Sequence, residues 1–410
     1  MTVQPRPHAA RALGSLETLL WLADQRSPKH FVLAAEIAST PSDTDWRSAI
    51  DAAQRRHPLC QVGIETDDGR LPHFSYRPGA VVPLTVIADP DHALLARQTE
   101  EELATPFAKT DAVLIRTTVL KHPRTATLLV TIHHAIGDGL SVTFWIRDVV
   151  RALAGEPLAP YPLPAAQEDD FVPGPAMPSD TAPPYREPRL GTLDPRTKSA
   201  LRVDLRRLPE DLGRSLREQA KAHGTTVHGA ITAAIVTAGA ELTPGLADRP
   251  VNLMSPVNAR ELLGRTDAFG IGFATAIGDV GPVASESFWA IARQANAINS
   301  PLRSTEGFAG FLGALGGFVS TRPTVLDAIE LERRLFPIDF MISNLGVLPF
   351  PDRIGEIDIL SLFGPAMILG MEGEQMIGIA TIGSNIHLMH SSYRPMPGLL
   401  EATETQLRSI

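Results

Sequence analysis

Apolar and polar positions change period several times along the chain, and each change marks an element. Leu19, Leu20 and Leu22 follow Ser15 at helical spacing, with Ser15 reading as the N-cap. The apolar run His30–Ile37 reads as a strand, and Trp46, Ile50 and Ala53 then return to helical spacing. Two more strands are expected over Val113–Val119 and Thr127–Ile132, with the basic turn Lys121–Arg124 between them. Beyond the second, Val142, Trp145, Ile146, Val149, Val150 and Leu153 fall at offsets of 0, 3, 4, 7, 8 and 11, one face of an amphipathic helix.

Between Gly155 and Pro188 prolines recur so closely that neither a helix nor a central strand can form, and the stretch reads as an extended connection. The pattern then restarts. A strand is expected near Leu201–Leu205, helices near Glu210–Ala222 and Val227–Ala240, and strands over Val251–Val257 and Phe273–Val280. Helices over Glu286–Ala297 and Val325–Leu335 follow. Strands then dominate Ile338–Ser391, with a hairpin turn at Thr381–Asn385. The Gly-rich segment Gly307–Phe318 is too short to span a bilayer and reads as tight helix packing or a pliable turn.

Composition narrows the class. With 410 residues, 44% hydrophobic and 20% charged, the chain is globular and long enough for two domains of roughly 150–200 residues each. A net charge of −9 without a basic block argues against nucleic acid as a partner. Cys60 stands alone, which excludes internal disulfides and cysteine-based metal sites and favours a cytoplasmic location. The N-terminus lacks the apolar core of a signal peptide, and no membrane span is expected.

The chemistry concentrates in Thr131–Leu140, where His133 and His134 end an apolar strand and Asp138 and Gly139 follow a three-residue gap. General acid–base catalysis of group transfer needs a group that takes a proton from the nucleophile and returns one to the leaving atom. A neutral imidazole serves both steps, for a gain of about 10²–10⁴-fold. Side chains alternate along an extended segment, so only one of the two histidines is expected to face substrate. Two other readings remain open. The histidines could be strand-end residues held by local hydrogen bonds, with Asp138 capping a helix that starts at Leu140. A metal site on His134 and Asp138 lacks a third ligand at motif spacing, so no metal is expected. His387 and His390 form a weaker pair, read as structural. No serine elbow is present, and FGIGFAT at Phe269–Thr275 lacks the third glycine of a dinucleotide fingerprint.

The motif resembles the HHxxxDG signature of the condensation-domain-like acyltransferase superfamily. Further segments follow in the family's order: RRHPL at Arg55–Leu59, AKAHGTTVHGAITAA at Ala220–Ala234, SPVNAR at Ser255–Arg260, FGIGFAT, and SNLG at Ser343–Gly346. Together they span most of the chain, and are most similar to polyketide-associated acyltransferases of the phthiocerol dimycocerosyl transferase type. The DFGWG motif of plant-type coenzyme A acyltransferases is absent.

The resemblance implies an α/β fold of two chloramphenicol-acetyltransferase-like lobes, a pseudo-dimer with the active-site tunnel at its interface. Residues 1–154 would form the first lobe, 155–199 the connection and 200–410 the second lobe. His134 would be the general base, His133 a supporting residue, and Asp138 a structural group paired with Arg260 of the other lobe. Gly139 would keep the tunnel open, and Ser343 and Asn344 would offer polar contacts to substrate. The implied reaction is O-acyl transfer in secondary or lipid metabolism, from a coenzyme A or phosphopantetheine-carrier thioester to a small hydroxyl acceptor. It needs no resident cofactor, and the enzyme would be a monomer. Amide formation by a free-standing condensation enzyme and a non-catalytic carrier-binding scaffold are the alternatives. Ile359–Leu362, Met367–Leu369 and Met376–Ile379 read as sheet core or as walls for an apolar acyl chain. An acidic carrier protein would be drawn to Arg55, Arg56, the Lys121–Arg124 turn, or Arg202, Arg206 and Arg207.

Overall fold

In a computed structural model, residues 8–66, 72–88, 94–171, 201–265, 267, 269–335, 338–370 and 373–410 are described. Their strands form two six-stranded sheets and one three-stranded sheet, with helices packed on them. The mixed α/β class expected from the sequence is the one observed.

In the first six-stranded sheet the strand order is Arg353–Ile354, Ile357–Met367, His30–Ile37, Ala126–His133, Ile115–Lys121, Leu84–Ala88. His30–Ile37 and Ala126–His133 are central and pair antiparallel, His30 opposite His133. Both of their faces are covered, which is why they read as continuous apolar runs rather than alternating ones. The first two strands of this sheet belong to residues 353–367, within the range assigned to the second lobe. The division at 154 and 200 therefore follows chain order, not sheet membership. Ile357, Ile359, Leu362 and Ala366 supply an apolar strand that covers the open edge of His30–Ile37.

The second six-stranded sheet runs Phe273–Val280, Val251–Asn258, Phe340–Val347, Gln375–Ile382, Asn385–Ser392, Arg202–Arg207. Its hairpin closes on two residues, with Ile382 opposite Asn385 and Gly383 at φ +58°, a left-handed position suited to a tight turn. The sheets meet where Gln375–Ile382 crosses Ile357–Met367. A Cβ on Gly378 would lie 2.1 Å from the Pro365 carbonyl oxygen, so only glycine permits the approach.

Three local expectations shift. The helix Ser15–Asp24 takes Gly14 as N-cap, and the Ser15 N–H is bound at 2.5 Å by Glu168 from the interdomain connection. Ser15 is therefore the first helical residue, its free N–H satisfied from outside the helix. The Gly-rich segment is a helix, Thr305–Ser320, capped by Ser304 and anchored by buried Phe308, Leu312 and Leu315 at helical spacing. Close packing explains Gly307, whose added Cβ would sit 2.1 Å from the Pro301 carbonyl, whereas Gly310, Gly313 and Gly317 face open space. The proline-rich connection is held as far as Phe171 from both sides, by Ser15 and Arg56 and by Arg265 and Asp267. Its remainder, with the prolines from Pro173 to Pro188, lies outside the described residues. Among the described residues no helix is long and apolar enough to cross a membrane.

Candidate active site

The strand Ala126–His133 ends in a short 3-10 turn, His134–Ile136, before the helix Gly139–Leu153 begins. The two histidines diverge there. His133 turns into the first lobe: its Nδ1 accepts from the Ala135 N–H at 3.0 Å, leaving Nε2 protonated and 3.3 Å from the Asp24 carboxylate. His134 turns the other way. Its N–H is held by the Lys29 carbonyl at 2.7 Å, and its Nδ1 lies 2.9 Å from the Gly137 carbonyl oxygen. A carbonyl only accepts, so Nδ1 carries the ring proton and Nε2 keeps its lone pair. Nε2 has no hydrogen-bond partner among the described residues. The ring packs between Phe31, at 4.8 Å, and Phe273 of the second sheet, at 5.4 Å between centroids. Burial pushes its pKa below the ordinary histidine value, with the nearby Asp138 charge only partly opposing, so the ring is neutral near pH 7.

Asp138 does two things at once. One carboxylate oxygen caps the following helix by accepting the Ser141 N–H at 2.9 Å. The same carboxylate takes both guanidinium nitrogens of Arg260 at 2.8 Å each, and the Gly272 N–H at 3.0 Å. Helix capping and the cross-lobe pair are therefore not alternatives. Burial alone would raise the Asp138 carboxyl, but Arg260 and the two backbone N–H groups outweigh it and hold it below the usual carboxylate range. The segment FGIGFAT finds its use here. The Gly270 carbonyl accepts from Arg260 at 2.9 Å, the Gly270 N–H donates to Ser141 Oγ at 3.0 Å, and an added Cβ on Gly272 would crowd Arg260 at 3.0 Å. The sequence carried the signal in two glycines at alternate positions just before a strand, but not the partner they serve.

Beside His134 lies a cavity of about 90 Å³ whose walls come from both sheets. Phe31, His134 and Gly139 face Phe273, Met341, Ser343, Asn344 and Leu345, and Met367 and Met376 also line it. The expected site residues His134, Asp138, Gly139, Arg260, Ser343 and Asn344 are thus brought together around one space, and His133 is not. An added Cβ on Gly139 would lie 2.6 Å from Leu345 Cδ2, so the strand Phe340–Val347 rests directly on this position. Asn344 Oδ1 is occupied by the Gly346 N–H at 2.8 Å, which leaves its amide N–H groups for a ligand. A second cavity of about 590 Å³ shares Pro256, Asn258 and Asn344 with the first and opens among residues of the second lobe.

Elsewhere the sequence reading needs correction. Arg56 is not a docking charge: it is buried, donating to Asp148 at 2.7 Å and to the Ala159 carbonyl at 2.6 Å, with its guanidinium over the Tyr161 ring. Asp148 is fully buried and also receives His57, Arg147 and Arg151, so RRHPL builds a charge knot inside the first lobe. Arg147 and Tyr161 reach on from it to Asp267 of the second. Of the other basic groups named, Lys121 pairs with Asp43 and Arg206 with Glu404. His390 is bonded to Gln375, and His387 packs edge-on against Phe363. Among the described residues no cluster of three His, Cys, Asp or Glu side chains could hold a metal.

Residues 197–275 match the family model described as the C-terminus of phthiocerol/phthiodiolone dimycocerosyl transferase, a span that contains Arg260, Gly270 and Gly272. No curated relative matches the sequence. Among solved structures, polyketide synthase associated protein 5 from Mycobacterium tuberculosis is similar over 97% of each chain, with a TM-score of 0.64 and 16% identity. TRI3 trichothecene 15-O-acetyltransferase from Fusarium sporotrichioides covers 98% of this chain and 95% of its own, with a TM-score of 0.66 and 15% identity. The first condensation domain of the CDA synthetase covers 97% and 95%, with a TM-score of 0.65 and 17% identity. Over nearly its whole length the chain therefore has the fold of the condensation-domain-like acyltransferases, and residues 197–275 carry the sequence match to the phthiocerol/phthiodiolone dimycocerosyl transferase C-terminus.

Proposed function

We propose that this protein transfers an acyl group from a thioester, on coenzyme A or a phosphopantetheine carrier, to a hydroxyl acceptor, with His134 as general base. The observation that carries the reading is the His134 ring itself. It is neutral, fixed by the Gly137 carbonyl through Nδ1, and free at Nε2 beside a cavity between the lobes. An alcohol in that cavity would give its proton to Nε2 as its oxygen bonds to the thioester carbonyl carbon. When the tetrahedral intermediate collapses, the carbon–sulfur bond breaks and the Nε2–H returns the proton to the departing thiolate. No proton is gained or lost overall, and no step calls on a redox or metal centre.

The other groups position. His133 braces the turn through Asp24, and Asp138 with Arg260 holds the lobes in the register that forms the cavity. Ser343 and the Asn344 amide supply polar contacts to the substrate. A binding scaffold would have no need of a base with an unengaged lone pair at the centre of the molecule. The test is His134→Ala, checked for folding by circular dichroism and assayed for thiol release from an acyl thioester with a panel of alcohols and amines. A loss of about 10²–10⁴-fold is expected. Undiminished release by a well-folded variant overturns the assignment. An amine used in preference to every alcohol overturns the hydroxyl acceptor.

A further inference from the structure

We propose that the acyl group transferred here is short, about two to four carbons, and that Met341, Met367 and Met376 set that limit. The inference rests on the reading that His134 acts on a thioester. The reacting carbonyl must then lie within one alcohol oxygen of Nε2, and the first carbons of the acyl group must occupy the space beside the ring. That space is the cavity of about 90 Å³, and its apolar wall includes Phe31, Phe273 and the three methionines. A dry protein cavity of about 150 Å³ holds one benzene ring. In proportion, this one holds about four carbon atoms.

A longer chain would have to run on into the space that adjoins. The cavity that adjoins through Pro256, Asn258 and Asn344 is large, about 590 Å³, and its lining is mixed, with charged and polar side chains set among apolar ones. Arg217 and Arg303 stand in it with no ion pair among the described residues. Deeper, Asn299 Oδ1 and His228 Nε2 are buried without a hydrogen-bond partner. Filling that room with methylene groups would strip water from two cations and leave the orphaned oxygen and nitrogen unpaired, which is unfavourable. The same groups suit the polar remainder of a substrate. The two cavities thus sort their contents: a small apolar end beside His134 and a polar end beyond it.

The test uses the full chain and acyl thioesters of N-acetylcysteamine with two, four, eight and twelve acyl carbons. Binding is measured by calorimetry, which needs no acceptor, and thiol release is followed in parallel. The two- and four-carbon esters should bind, and affinity should fall at least 10-fold at eight carbons, since one excess methylene in a hydrophobic pocket already costs roughly 10–200-fold in discrimination. Met341→Ala and the milder Met376→Val should each raise relative affinity for the eight-carbon ester at least 5-fold. Equal or tighter binding of the eight- or twelve-carbon ester by the unsubstituted protein overturns the inference, as does binding of none. If His134→Ala still releases thiol at full rate while the length profile holds, the general-base reading fails and the size limit stands.

Discussion

Asp138 and Arg260 lie 122 residues apart in sequence and meet through two parallel hydrogen bonds of 2.8 Å, buried just beyond the ends of strands from the two six-stranded sheets. The fork of the guanidinium matches the carboxylate edge, a geometry that lysine could not reproduce. Removing one partner leaves a buried, uncompensated charge. Asp138→Ala and Arg260→Ala should therefore each destabilise by about 3–5 kcal/mol. The double variant should cost clearly less than the sum of the two, by a coupling of about 0.5–3 kcal/mol. Chemical denaturation of the four proteins measures this, and additivity would show that the pair does not act as one unit.

Gly139 should fail for a different reason. Alanine is a good helix former at this position, so Gly139→Ala is expected to stay folded. Its methyl group would displace Leu345, whose Cδ2 lies 2.6 Å from the added atom, toward the cavity. Activity should drop at least 10-fold with little change in melting temperature. Adding Leu345→Ala should restore much of it. No rescue by the second substitution would mean that the steric account is wrong.

The pH dependence has a definite sign. Burial lowers the His134 pKa, so the acid limb of kcat/KM should lie below about 6.5, the ordinary histidine value, and activity should stay level through neutrality. Stability should behave separately. The Asp138 carboxyl is depressed in the folded state, so its contribution is fully present above the unfolded value of about 3.9 and is lost as pH falls below it. Activity and folding should therefore fail in different pH ranges, which a rate profile and an acid-unfolding curve will resolve. An acid limb at or above 6.5 would mean that the titrating base is not this buried ring.

What the sequence could reveal follows from how each feature is encoded. His133 and His134 lie next to each other on an extended segment, so alternation alone implied that they diverge, and one faces Asp24 while the other faces the cavity. The helix after Asp138 was legible from its apolar spacing. The return of residues 353–367 to the first sheet was not, because an apolar strand carries no mark of which sheet edge it will cover. Nor was the shared use of one carboxylate for capping and pairing, since each role alone accounts for an aspartate there. The size of the cavity beside His134 also lay beyond reach: a methionine on a strand reads the same whether it fills a core or bounds a pocket.

Arg55 and Arg56 separate the two meanings a basic dipeptide can have. Arg55 is exposed, whereas Arg56 donates from a buried position to Asp148, itself fully removed from solvent. Replacing Arg55 with alanine should change stability by no more than about 0.5 kcal/mol, as for most surface positions. Arg56→Ala removes one of four groups that donate to the Asp148 carboxylate and also frees the Ala159 carbonyl at the start of the proline-rich connection. A loss of about 3 kcal/mol is expected, near the lower end for breaking a buried pair because His57, Arg147 and Arg151 remain. Arg56→Lys should recover only part of it, since an ammonium cannot reach Asp148 and the Ala159 carbonyl in the fixed fork of a guanidinium. If Arg55→Ala proved the more damaging change, the dipeptide would be acting at the surface after all, and carrier docking would have to be reconsidered there.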